Sequence, residues 1–442
     1  MTTQSPASAT NALRLTAALL LAFAGAFLVY YGINTLNDPV FAIDFSPYYV
    51  AGQLVARGEV APLTAPSRVG MFATDVAPFL KNFQKYFFHD SPLATGWVYL
   101  PGYAWLFRPF ADLDFPTAAR VWLGVNVILL GASIALVLCA RLWRGDPQLA
   151  ALRVAWIIFL GLTFQPMLDN LWHGNVSILI LFCFCAGYYF LRREQPLLAG
   201  LALGLIVPLK FYPALIVLYF VWRRDWRVVI GAAISSLALV TLSWFTVGAN
   251  GMIEYAQKIL GELGAGGVPA FNNQSLAGFL LHAFTFGDVN GWQDMAVPMP
   301  VTVLRYTLIL GLLGAVAWAM RRAPEKTGNA VLARDFDLAL VIGVMLIASP
   351  ITWYHYYVWL FLPVVIVLDY FLMRAMSRRQ LFVFALAYGL IVVQGIAPIR
   401  AFAAQAIQDV WLLRVLLSTS FFGAAILIGL ILRLRAEQGV TQ

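Results

Sequence analysis

Apolar residues arrive in long unbroken runs, near 15–36, 97–111, 116–140, 152–168, 175–191, 196–222, 227–248, 302–321, 336–350, 355–373, 380–397 and 411–433. At about 1.5 Å per residue most of these runs reach across a hydrocarbon layer, which predicts about twelve membrane segments. The ten-residue alternation of a transmembrane barrel is missing. The expected fold is therefore all-α and polytopic. Two segments are irregular. The run at 97–111 is short, and 196–222 carries Pro208 and Pro213 around Lys210, where freed backbone carbonyls break a helix. Two long intervals, 37–96 and 249–301, hold or border scattered aromatics (Tyr86, Phe87, Phe88, Trp97, Tyr255, Phe271, Trp292) of the kind found at membrane interfaces. Short helices lying along the membrane are expected there, at 47–58, about 66–87 and about 250–263.

Composition agrees with that pattern. Hydrophobic residues make up 61% of the chain and charged ones only 11%, far below the roughly 25% of soluble domains. The net charge of +8 comes from short clusters between segments: Arg141/Arg144, Arg192/Arg193, Arg223/Arg224/Arg227, Arg321/Arg322/Lys326, Arg374/Arg378/Arg379 and Arg433/Arg435. Such clusters mark the cytoplasmic side and anionic lipid, with no call for a nucleic-acid partner. Simple alternation of twelve spans would put the first two clusters outside. The conflict vanishes if 97–111 dips in and returns, and if 196–222 is two arms. Either way 37–96, 249–301, 351–354 and 398–410 share the outer side. The first run is longer than a signal-peptide core and is expected to stay as an anchor. Cys139, Cys183 and Cys185 all lie in apolar runs, so neither a disulfide framework nor a zinc site is indicated.

Few polar residues interrupt this background. Asp44, in Phe41-Ala-Ile-Asp44-Phe-Ser-Pro-Tyr-Tyr-Val-Ala-Gly52, follows the first segment. Ser46 and Pro47 predict a helix start, with Ser46 as N-cap, and Gly58 a stop. A carboxylate at that boundary sits in a low-dielectric setting that favours a raised pKa and base chemistry; as plain structure it only punctuates the end of a span. Lys210, amid an apolar run, costs about 2.5–3.5 kcal/mol on insertion scales and marks a pathway or an anion, unless it snorkels from a helix end. His355, among Tyr and Trp in the turn 349–357, could bind an anion or simply belong to an aromatic belt. His173 and Asn175 interrupt two apolar arms in Asp169-Asn-Leu-Trp-His-Gly-Asn175. Asn272-Asn273-Gln274-Ser275 is either an N-cap cluster or a set of amides for sugar hydroxyls. Nucleotide-binding and zinc-protease motifs are missing from the sequence.

Seven stretches in order resemble one family. These are Asp44-Phe-Ser-Pro-Tyr-Tyr-Val-Ala-Gly52 with Val98-Tyr-Leu-Pro-Gly-Tyr-Ala-Trp-Leu106; Gly174-Asn-Val-Ser-Ile-Leu179; Leu198-Ala-Gly-Leu-Ala-Leu-Gly204; Leu209-Lys-Phe-Tyr-Pro213; Asn273-Gln-Ser-Leu-Ala277; and Ser349-Pro-Ile-Thr-Trp-Tyr-His355. Together they are similar to glycosyltransferase family 87, the branch containing phosphatidylinositol-mannoside mannosyltransferases. The resemblance covers most of 35–370. It implies a C-type glycosyltransferase fold and inverting transfer of a hexose, mannose first, from a polyprenyl-phosphate sugar to a lipid-linked or glycan acceptor. It also implies Asp44 as catalytic carboxylate and Lys210 and His355 around the donor phosphate. Tyr48, Tyr49, Tyr212, Asn273, Gln274, His173 and Asn175 are further expected substrate contacts. The first-loop motif holds one acid where some members of the wider superfamily hold a pair.

No metal or other cofactor is expected, because the leaving group already carries a phosphate. The expected site lies in a multi-pass protein of the inner (plasma) membrane, facing the periplasm or exterior, with the whole of 1–442 as one domain. The alternatives are a transporter or lipid flippase using the same residues without chemistry, and a ligase or polymerase taking a lipid diphosphate. The first would show an inverted repeat. The second would favour more outer-loop arginine than Arg57 and Arg68.

Overall fold

A computed structural model describes residues 6–36, 42–64, 97–142, 147–260, 267–290, 295–321, 327–374, 377–395 and 410–438. The principal helices are α1 (Pro6–Leu36), α2 (Ser46–Arg57), α3 (Phe115–Leu142), α4 (Pro147–Thr163), α5 (Gln165–His173), α6 (Ser177–Arg192), α7 (Pro196–Gly204), α8 (Ala214–Trp222), α9 (Trp226–Glu254), α10 (Leu276–Phe284), α11 (Met299–Met320), α12 (Thr327–Ala348), α13 (Phe361–Met373), α14 (Arg378–Val393) and α15 (Thr419–Glu437). Among the described residues there is no strand, only isolated bridges from Gly267 to Met295 and from Asn273 to Trp353. In hydrocarbon every backbone donor must be satisfied within the chain, and helices do this segment by segment. Six of the described helices are long and apolar enough to cross a membrane, or up to seven when α4 and α5, bent by 43°, are taken as one. The chain is a multi-pass helical membrane protein.

Two of the apolar runs are broken into short helical pieces. Residues 101–110 form a 3₁₀ turn, a four-residue helix and a second 3₁₀ turn, each too short to cross. The run 196–222 splits into α7 and α8, nine residues each, with Lys210 in the linker between them. At about 1.5 Å per residue each arm is only ~14 Å long. α7 packs tightly against α9: a Cβ on Gly200 would lie 2.1 Å from the Val228 carbonyl oxygen, and one on Gly204 2.2 Å from that of Ala232. Two glycines one turn apart thus let the backbones touch, as membrane helices do where oil offers no hydrophobic drive.

The direction of each helix follows from what its ends touch. Trp122, early in α3, donates to the Gly174 carbonyl, while Arg141 in its last turn pairs with Asp369 at the end of α13. Nineteen residues of helix put these ends about 28 Å apart. Arg192 of α6 and Arg435 of α15 join Asp335 and Asp337 of α12 at the same end as Arg141. Tyr219 of α8 also reaches Asp337 there. Several basic clusters therefore share one end, and both irregularities noted in the sequence contribute to that arrangement.

Two expectations change. Ser46 is not an N-cap: a 3₁₀ turn, Ile43–Phe45, runs directly into α2, and the Ser46 hydroxyl donates back to the Ile43 carbonyl. α2 stops at Gly58 as expected, but it does not lie along a surface; every residue from Ser46 to Val55 is buried. The rings of Phe107, Phe110, Phe115 and Trp122 enclose Phe45 at its start. At the third expected short helix, about 250–263, α9 kinks at Gly248 into a second helical piece that continues as a π-turn, Tyr255–Leu260. The helix expected at about 66–87 lies outside the described residues.

Candidate active site

The site forms at the end opposite the arginine cluster. Asp44 is held there by its neighbours in sequence: Ala42 N–H donates to the Trp172 carbonyl, and the Phe45 ring is wedged in the aromatic core. α5 ends at Gly174, whose φ of 67° lies in the left-handed region that glycine accepts. There its α-carbon sits where a side chain would press on Phe45 and Ala42. This turn delivers Asn175, whose Nδ2 donates to Asp44 Oδ2 at 3.1 Å. The Asn175 Oδ1 is fixed from behind by the backbone N–H and hydroxyl of Ser177.

His355 arrives from the 3₁₀ turn before α13. Its Nε2 lies 3.4 Å from Asp44 Oδ2 and its Nδ1 3.9 Å from Asp169 Oδ2. His173 completes the group: its ring is 4.8 Å from that of His355, and its Nδ1 is 2.7 Å from the Asp169 carbonyl oxygen and 3.4 Å from the Asp169 carboxylate. Two carboxylates and two imidazoles thus form a short chain, Asp44–His355–Asp169–His173. The Asp44 side chain remains 20% exposed while His355 and Asp169 are below a tenth. Burial raises the Asp44 pKa, opposed by the nearby His173 charge, the Asn175 hydrogen bond and the Lys210 charge, and assisted by Asp169. The result is a carboxylate poised as a base and open on one side.

Lys210 comes up from below on the broken hairpin. It is buried, with Nζ 3.5 Å from the centre of the Tyr356 ring and 5.7 Å from that of Tyr99, so ring faces replace part of its hydration. Tyr48 and Tyr99 share a 2.8 Å hydroxyl contact beside them, and burial keeps both phenols neutral. Tyr212, on the same linker, hydrogen-bonds Ser349 and stands near the Tyr99 and Tyr356 phenols.

Asp44, His355, Lys210, His173, Asn175, Tyr48 and Tyr212 are therefore brought together. Three expected substrate contacts are not. The Tyr49 hydroxyl donates to the Leu113 carbonyl and accepts from Gln53, away from Asp44. Asn273 and Gln274 are fully buried braces. Asn273 receives the Thr352 N–H, and Gln274 ties Phe271, Leu417, Ser420 and Phe421 together through its amide, leaving little for a sugar. Their plain reading holds, since the Ser275 hydroxyl caps α10 by accepting from Gly278 N–H. Sequence reasoning did not single out Asp169, Tyr99 or Tyr356. A second acid, Asp169, comes from α5, and the i, i+4 spacing of Asp169 and His173 was the signal for one shared face.

Asp169, His173 and His355 also offer donor atoms within 4.8 Å of one another, a spacing that could gather around a divalent cation. His173 Nδ1 is held by the Asp169 carbonyl, which leaves Nε2 as the ring nitrogen it could offer.

A helical membrane protein carrying a base-like carboxylate, a buried cation and paired histidines at one end has the parts of a group-transfer enzyme acting on amphiphiles. The chain belongs to glycosyltransferase family 87, whose sequence profile matches residues 97–350. Asp44 and His355 reach the site from either side of that stretch. The chain is 32% identical over 281 residues to a polyprenol-phosphate-mannose-dependent alpha-(1-2)-phosphatidylinositol mannoside mannosyltransferase of Mycobacterium tuberculosis, the alignment covering 61% of each. A protein of the same description from Mycolicibacterium smegmatis is 28% identical over 369 residues, 79% of this chain and 74% of the relative. The corresponding pentamannoside mannosyltransferase of that organism is 29% identical over 278 residues, 61% of this chain and 60% of the relative. The chain thus aligns with about three fifths of the length of the first and third of these. No solved structure matches it.

Proposed function

We propose that this protein is an inverting mannosyltransferase of the C-type fold. It moves mannose from a polyprenyl-phosphate mannose to a lipid-linked acceptor, of the phosphatidylinositol mannoside kind, at the outer face of the plasma membrane. The observation that carries this reading is Asp44, partly open and raised in pKa at the end opposite the basic clusters. In this reading the twelve apolar runs are twelve membrane segments, with 97–111 and the α7–α8 hairpin re-entrant. The positive-inside rule then makes the Asp44 end external.

The acceptor hydroxyl gives its proton to Asp44 as its oxygen bonds to the anomeric carbon. The bond from that carbon to the phosphate oxygen breaks, and its electron pair leaves with the polyprenyl phosphate. Attack opposite the leaving group inverts the configuration. Base and leaving group then stand on opposite sides of the sugar. A residue 3.4 Å from the base is therefore its partner first, so His355 orients Asp44. Lys210 is the nearer match for the phosphate, where charge grows in the transition state. Asp169 holds His355 from its other nitrogen.

The transporter alternative has no support in the family or the relatives. The test is transfer by the detergent-purified protein from radiolabelled polyprenyl-phosphate mannose to a phosphatidylinositol mannoside, with the product anomer determined. Failure to use any polyprenyl-phosphate sugar, or retention of configuration, would overturn the proposal. Sidedness is tested in a Cys-free background. A cysteine at Gly58 should label with an impermeant reagent from outside, and one at Glu194 only after permeabilisation.

A further inference from the structure

The basic end holds a second cavity, of about 400 Å³, between the last turns of α3, α6 and α8 and the first turns of α12. Arg192, Arg193 and Arg334 line it together with the acids Glu194, Asp225 and Asp335. The deeper charges beside it are already matched. Arg141 and Arg153 stand against Asp335 and Asp369 at 2.5–2.6 Å, and Arg435 against Asp337 at 2.6 Å. With Asp335 counted in that inner set, three arginines face two acids, an excess of one positive charge. The rest of the wall is amphipathic: the rings of Tyr188, Tyr219 and Phe220 with Leu191, Val331 and Leu338. Trp222 and Trp226, 47% and 56% exposed, flank the turn beside it and mark the level of a headgroup region.

We propose that this cavity binds the phosphodiester headgroup of an anionic glycerophospholipid from the leaflet at the basic end. The arginines take the phosphate, and the apolar wall takes the glycerol and first methylenes. Basic pockets between membrane helices on the cytoplasmic side favour this ligand chemistry, at about 1 kcal/mol for each cation near the surface. A soluble phosphate ester shares the phosphate but has no acyl chain to place against Leu191 and Val331. The proposal is independent of the transfer chemistry at Asp44.

The test uses the full chain, purified and delipidated in mild detergent, with thermal unfolding followed against added phosphatidylglycerol, phosphatidylcholine or glycerol 3-phosphate. Phosphatidylglycerol should raise the unfolding temperature and the other two should not. Arg193→Gln/Arg334→Gln should weaken phosphatidylglycerol binding about thirtyfold, two contacts' worth. Arg378→Gln/Arg379→Gln, exposed residues elsewhere in the chain, should leave it unchanged. If the double variant does not fold, Arg334→Gln alone, at an exposed position, should still lose about fivefold. Wild-type binding by the folded Arg193/Arg334 variants would overturn the proposal. So would equal loss in the control pair, or a full shift with glycerol 3-phosphate alone.

Discussion

The two ends of the molecule bury charge in opposite ways. At the basic end Asp369 accepts from both Arg141 and Arg153, Asp335 accepts from Arg141, and the Tyr188 hydroxyl completes the Arg141 fork. These contacts span α3, α4, α6, α12 and α13, and nearly every strong site on the two carboxylates is used. At the other end Asp44 has one firm donor, Asn175, with His355 at the longer distance of 3.4 Å and Lys210 resting on aromatic rings. Both ends remove ions from water, which costs several kcal/mol for each. The first spends its charges on one another. The second keeps capacity in hand for a proton, a hydroxyl and a phosphate.

The sharpest way to break this contrast is Asp44→Asn. The amide keeps the shape but cannot accept the proton, so transfer should fall by about 10²–10⁴ while the unfolding temperature stays near that of wild type. Near-normal turnover in the purified variant would remove Asp44 as the base. Arg153→Met should do the reverse. It leaves Asp369 with one arginine in a buried site and should cost about 3–5 kcal/mol of stability, read as a lower unfolding temperature and yield. The protein that does fold should turn over normally. A variant as stable as wild type but slow would mean that the closed network serves the chemistry.

Lys210→Met comes next, with a loss of about ten- to a hundredfold for one charge-assisted phosphate contact. The loss should fall on turnover or on donor use, with acceptor KM little changed, because the cation meets charge that grows on the leaving group. His355→Ala should instead change the pH dependence of turnover, since that ring touches the base. A Lys210 defect confined to the acceptor would reverse the assignment.

How much of this was visible in the chain depends on where each interaction lives. Asp44, Lys210 and the break at Pro208 and Pro213 were legible because a polar residue or a proline inside an apolar run has a local cost that sequence alone reveals. Gly58 as a helix stop was legible for the same reason. The meeting of Asp44 with His355, more than three hundred positions apart, was not, and neither was the role of Asp169, a lone acid until α5 bends it back over His355. α2 looked like a surface helix because its tyrosines suit an interface; its burial is set by rings from 107–122. Asn273 and Gln274 looked like sugar contacts because amides serve either purpose. Only their partners across 79 to 147 positions show that they brace the fold.

The smallest expected effect tests the electrostatics of the open end directly. Burial raises the Asp44 pKa, and the Asn175 Nδ2 hydrogen bond, together with the charges of His173 and Lys210, pulls it back down. Asn175→Ala removes a donor that stabilises the ionised carboxylate, so the pKa should rise further. The competent base is the deprotonated form. Turnover should therefore climb with pH through the Asp44 pKa, and in the variant that rising limb should move to higher pH. On the alkaline side both proteins should fall together, because burial brings the Lys210 pKa down to about 7 and its charge is lost there. Ser177→Ala is the control: Ser177 holds only the far side of the amide, Oδ1, so its loss should scarcely move the limb. A uniform drop for Asn175→Ala at every pH, with the limb unmoved, would mean that Asn175 shapes the site without tuning the base.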